Sequence, residues 1–162
     1  MRPHAPIEPE GTFAGLRGGA ILFGAFVDIA ATVIGSTLLL LWLAPEAMSP
    51  DEAATREALA RLSGSTAYVI GNLALGALCT VLGAFVGARR AGQLHVRHGG
   101  WIAVTSTLIG VLLTLLEPIP VGEPVPAAAV PFWVEALAWI LILPAGVAGG
   151  ALAAVLHRPS RF

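Results

Sequence analysis

Apolar residues in this chain come in long runs, separated by short polar stretches that hold most of the charges. Four runs stand out, over residues 18–43, 66–88, 100–116 and 132–156. At about 1.5 Å per residue the first reaches roughly 39 Å as a helix, enough to cross a hydrocarbon core of about 30 Å with some tilt. The third is the shortest that still spans. The expected fold is therefore all-α, a polytopic four-helix transmembrane bundle over 18–156. A flexible N-terminal tail over 1–17 and a short C-terminal tail over 157–162 flank it. A secretory h-region is only about 7–15 residues long, so the first run reads as a retained span.

The polar breaks carry their own signals. Ser49-Pro50-Asp51-Glu52 has a capping residue, Pro at a first helical position and Glu three places after the cap. It predicts a short surface helix over about 50–62, braced by Glu52–Arg56 and Glu57–Arg61 at i, i+4. Arg89-Arg90 and Glu117-Pro118 are expected to end the second and third spans. Five prolines over 117–131 predict an extended connection, and Pro144 a bend in the fourth span. Arg17, Arg89, Arg90, Arg97, Arg158 and Arg161 fall on one side of the spans, while the other side is mainly acidic. Both termini are thus expected to be cytoplasmic. Trp42, Tyr68 and Trp133 at the outer ends, with Trp101 at the inner end of the third span, fit interfacial belts.

Composition agrees with this class. Of 162 residues 56% are hydrophobic and only 12% charged, against about 25% in soluble domains; mean hydropathy is +0.82. Net charge is −1, with no basic cluster that could track a nucleic-acid backbone. The single Cys79 forms no zinc or CxxC pattern. His95 and His98 are expected in a solvated cytoplasmic loop, and two imidazoles do not make a structural zinc site. No cofactor or metal is expected. Hydrolase, zincin and P-loop motifs are missing, so the chain is not expected to be an enzyme.

Candidate chemistry centres on Asp28, the one charge inside the first run, about 15 Å from its inner end. Such a carboxylate is costly in a membrane and is either functional or satisfied by a neighbouring helix. By depth, Thr80 of the second span and Ser106 of the third stand near its level, with Thr32 one turn away and Asn72 nearer the outer face. With hydroxyl donors and no cation at hand, Asp28 is expected to carry its proton and to hydrogen-bond Thr80, Ser106 or a carbonyl. Gly24, Gly76, Gly83, Gly87, Gly146 and Gly150 recur at helical spacing and read as helix-packing positions. Glu135 is expected at the outer interface. The first and third spans also echo each other: Thr32-Val-Ile-Gly-Ser-Thr matches Thr107-Leu-Ile-Gly-Val-Leu in outline, which suggests a repeat of two parallel hairpins.

The segment Gly83-Ala-Phe-Val-Gly-Ala-Arg-Arg-Ala-Gly92, the His98-Gly-Gly100 step and Val27-Asp28 resemble a group of small bacterial four-helix inner-membrane proteins of uncharacterised activity. The resemblance implies a multi-pass protein of the bacterial inner membrane and no particular chemistry. The expected role is a non-enzymatic accessory or interaction subunit of a membrane complex, or a homo-oligomer. Its expected partners are the lipid bilayer and other membrane chains or itself. The alternative is a small transporter or channel in which Asp28 handles a proton or cation. A water-accessible cavity around Asp28 favours the alternative; a dry contact favours assembly.

Overall fold

The computed structural model describes residues 13–116 and 132–156, less the side chains of Ser63 and Glu135, and every regular element in it is helical. Helix α1 occupies Gly18–Leu43, α2 Glu52–Ser63, α3 Thr66–Ala91, α4 His95–Leu116 and α5 Phe132–Leu156, with a 3-10 turn over Pro45–Met48. Four of these, α1, α3, α4 and α5, are long and apolar enough to cross a membrane. The expected extended connection over 117–131, the C-terminal tail and most of the N-terminal tail lie outside the described residues.

Local chemistry sets the boundaries, and several differ from expectation. Arg89 and Arg90 do not end α3. The helix carries them in its last turn and stops at Gly92, whose φ of 72° is left-handed and whose N–H reaches the Ala88 carbonyl. Leu94 then takes a positive φ of 48°, and α4 starts at His95 rather than Gly100. Its first turn is polar, so hydropathy alone starts the helix too late. The cap of α2 is Asp51, whose carboxylate accepts from Ala53 N–H, while Ser49 instead accepts from Asp51 N–H. Arg56 pairs with Glu52 at 3.5 Å as expected, but Arg61 pairs with Glu46 of the preceding turn rather than with Glu57. Helix α5 runs through Pro144 to Leu156.

Two antiparallel hairpins, α1/α3 and α4/α5, lie side by side, with α3 against α5 and α4 against both α1 and α3. Small residues make the core: Ala25, Ala84, Ala88, Ala91, Ala103 and Ala153 are fully enclosed, and Ile102 and His98 are the largest side chains buried completely. Large apolar side chains such as Leu22, Phe26, Val33, Leu38, Leu115 and Ile140 point outward. This inverts the soluble pattern and suits a bilayer, where small residues let backbones approach.

Burial is concentrated at one end. The enclosed residues of α1 and α4 lie in their first halves (Ala20 to Asp28, His98 to Ser106), and those of α3 in its second (Cys79 to Ala91). In α5 they cluster from Ala145 to Ala153. Because chain directions alternate, all four sets meet at the end that holds Arg17, Arg89 and Arg90. Two equivalent glycine seams close it. A Cβ on Gly24 would lie 2.8 Å from Gly83 O, and one on Gly87 2.8 Å from Ala20 O. In the other hairpin, a Cβ on Gly146 would lie 2.6 Å from Gly99 O, and one on Gly150 2.5 Å from His95 O. The alignment that pairs Thr32 with Thr107 also pairs Gly24 with Gly99 and Ala20 with His95, so the two hairpins repeat one contact set.

The turn between α3 and α4 holds the chain before α1. His98 does not lie in a solvated loop: it is completely buried, and its Nε2 accepts the Arg17 N–H at 3.0 Å while Nδ1 faces the Leu94 carbonyl at 3.1 Å. The imidazole is thereby set as the Nδ1–H tautomer. Gln93 donates to the Gly15 carbonyl, and the Phe13 and Trp101 rings lie 4.8 Å apart. Residues 13–17, expected in a flexible tail, are docked.

Candidate functional site

Above the glycine seams the helices leave a cavity of about 550 Å³, reached by residues of all four long helices. Asp28, Thr32, Asn72, Thr80 and Ser106, picked from the sequence by depth and spacing, all line it. Asp28 and Thr80 stand at its deep end, where the seams begin, and Tyr68 and Val134, near the starts of α3 and α5, at the other. The walls between are apolar, built from Ile29, Leu73, Ala77, Leu141 and Ile142 among others.

Asp28 is only 5% exposed. Thr80 Oγ1 donates to its carboxyl group, at 3.2 Å from Oδ1 and 3.3 Å from Oδ2. The hydroxyls of Ser106 and Thr32 also face it. Ser106 Oγ also lies 3.0 and 3.2 Å from the Ile102 and Ala103 carbonyls, so its one hydrogen is shared between its own helix and the Asp28 carboxyl. Helix geometry produces the arrangement. Asp28 and Thr32 are one turn apart on the face of α1 that carries Gly24, and Thr80 is three residues before Gly83, so close approach of the glycines brings acid and hydroxyl together.

A second polar level lies toward the wide end. Ser36 Oγ donates to Asn72 Oδ1 at 2.7 Å, which fixes the amide and leaves its NH2 group with no partner among the described residues. The Tyr68 hydroxyl, in the same region, has none either. Among the described residues no Arg, Lys or His lines the cavity. At the glycine-packed end, Arg90 lies 4.6 Å over the Phe23 ring and Arg89 5.9 Å over Phe85.

Five of the six expected packing glycines sit where a Cβ would strike a neighbour; Gly76 does not. It has open space before it and belongs to the cavity wall. Sequence reasoning passed over Tyr68, Thr107 and Gly110 as cavity residues, and Gly99 and Gly149 as seam residues. Gly99 was hidden because its His-Gly-Gly context reads as a loop; Gly149 is next to a glycine already assigned. Among the described residues no group of His, Cys, Asp and Glu has metal-site geometry. Compared with known protein families, curated proteins and solved structures, the chain matches none at a meaningful level.

Proposed function

We propose that this chain is a multi-pass protein of the bacterial inner membrane, both termini cytoplasmic, acting as a small transporter or channel in which Asp28 handles a proton or cation. The observation that carries this reading is the placement of Asp28 at the deep end of the cavity, with Thr80 as its donor. A purely structural acid is expected in a closed contact. Here the carboxyl also faces open volume, the environment in which an intramembrane carboxylate meets ions or solutes. The arginine-rich end supports the orientation: Arg17, Arg89, Arg90 and Arg97 gather at the starts of α1 and α4 and the end of α3.

The path stops at Asp28, so passage to the cytoplasmic side requires the glycine-packed end to open. Proteoliposomes of the full-length protein, loaded with a pH-sensitive dye and energised by a potassium diffusion potential, test the reading. Wild-type vesicles acidify faster than empty ones, and Asp28→Asn removes the difference, since Asn keeps hydrogen bonding but exchanges no proton. Equal rates in wild-type and empty vesicles would discard proton handling by Asp28.

A second reading, as an accessory or self-associating subunit, is favoured by a separate shallow groove between the outer halves of α1 and α3. Gly35, Leu38, Trp42, Gly71 and Leu75 form it, all apolar or small, as a helix from another chain would require. The mass of the detergent-solubilised particle, by light scattering, separates monomer from assembly.

A further inference from the structure

We propose that the cavity takes a lipophilic monocation: a compact apolar body whose single protonated amine docks on Asp28, with a hydrogen-bond acceptor at the opposite end meeting Asn72 and Tyr68. This rests on the reading of Asp28 as a proton- or cation-handling group and specifies what is handled.

Charge comes first. Among the described residues, Asp28 and Tyr68 are the only ionisable side chains that line the cavity, and Cys79, buried beside Thr80, does not reach it. A carboxylate offers about four acceptor sites; Thr80, Ser106 and Thr32 can fill part of that capacity, and none of them carries a charge. An ammonium brings three N–H donors and the missing countercharge to a place where low dielectric strengthens the pair. An anionic guest finds no cationic partner among the described lining residues.

The body follows from the walls. Ile29, Leu73, Ala77, Leu141 and Ile142 offer no side-chain hydrogen bonds. A sugar or other polyol would leave its hydroxyls unpaired along this stretch, at a cost of about 1–3 kcal/mol for each group. The far end then sets the length. Asn72 precedes Thr80 by two helical turns on α3, about 12 Å along the axis. Its NH2 group, with the Tyr68 hydroxyl nearby, is a donor pair suited to an ether or carbonyl oxygen. A cavity of about 550 Å³ falls in the range of roughly 300–1,000 Å³ usual for small-molecule pockets.

Gly76 supplies an independent handle. It lies between the two polar levels and a Cβ there would meet nothing within 4 Å, so Gly76→Leu sends a side chain into the body position from an unobstructed backbone.

The test is calorimetric titration of the full-length protein in nanodiscs with para-methoxyphenylbutylamine, which spans the two levels, and with para-methoxyphenylbutanol, its neutral counterpart. The amine should bind saturably at one site, and the alcohol at least about tenfold more weakly. Asp28→Asn and Gly76→Leu should each weaken the amine by a similar factor. If Asp28→Asn fails to fold, Gly76→Leu and the amine–alcohol comparison still decide. Equal binding of alcohol and amine, or uptake that never saturates and is unchanged by Gly76→Leu, overturns the proposal. Proton movement that depends on Asp28 without amine binding removes this guest and leaves the transport reading intact. Amine binding without proton movement keeps the guest and narrows that reading to cation handling.

Discussion

Gly24 and Gly83 meet backbone to backbone: a Cβ on Gly24 would stand 2.8 Å from the Gly83 carbonyl oxygen, and one on Gly83 2.6 Å from the Gly24 carbonyl oxygen. Neither partner is a flexible side chain that can step aside. Gly83→Ala should therefore cost about 1–3 kcal/mol through overpacking. Thermal unfolding in detergent measures this. Gly110→Ala, at a position with nothing within 4 Å, is the matched control. It should be neutral or stabilising by up to about 1 kcal/mol, since Ala favours helix over Gly. Identical midpoints for the two variants would mean that the seam is looser than described.

His98 links the chain before α1 to the first turn of α4 through the Arg17 N–H. His98→Leu keeps an apolar volume and leaves that part-buried donor without its acceptor, a loss of about 1 kcal/mol. The local consequence is sharper than the global one. Residues 13–17 should release, and trypsin should cut after Arg17 faster than in wild type. Peptide mapping over a digestion time course checks this, and unchanged cutting would show that Phe13–Trp101 and Gly15–Gln93 hold the segment without the histidine.

Thr80→Val removes the hydrogen that Thr80 gives to Asp28 while keeping its shape. Hydrogen bonds between membrane helices average about 0.6 kcal/mol, so the unfolding midpoint should barely move. The dye response in proteoliposomes should slow nonetheless, because the carboxyl loses the donor that positions it. A large fall in stability with unchanged transport would make Thr80 a packing residue.

Orientation is open to direct labelling. In a Cys79→Ala background, Arg56→Cys on α2 and Gln93→Cys in the α3–α4 turn place exposed thiols at opposite ends of the bundle. A membrane-impermeant maleimide added to intact spheroplasts should label the first and spare the second. The reverse pattern would place both termini outside.

Hydropathy found the long helices because each is an apolar run, and it located the ends of α1 and α5 where that run meets polar residues. It failed at the α3–α4 turn for a physical reason. Arg89, Arg90, His95 and His98 are polar yet helical, and the break between them is set by backbone conformation at Gly92 and Leu94. The polar residues around Asp28 were legible by counting depth, since antiparallel helices of equal rise bring equal counts to equal levels. Whether those residues enclosed a contact or a cavity was not legible. That depends on where Gly76 points and how far the outer halves of α1, α3, α4 and α5 stand apart, and both are properties of the assembled bundle.

The uneven burial described above has a mechanical side. A bundle clamped by two glycine seams at its arginine end and loosely packed at the other behaves as four cantilevers sharing one root. Flexing the free ends changes the mouth while the root, and Asp28 just above it, stays in register. For the guest proposed above, admission at the free ends would need only a soft motion of side chains and helix tips, whereas release toward the root would mean unclamping close backbone contacts. Under the transport reading proposed above, traffic would be fast on one side and slow on the other, with the slow step at the contacts of Gly24, Gly83, Gly99 and Gly146.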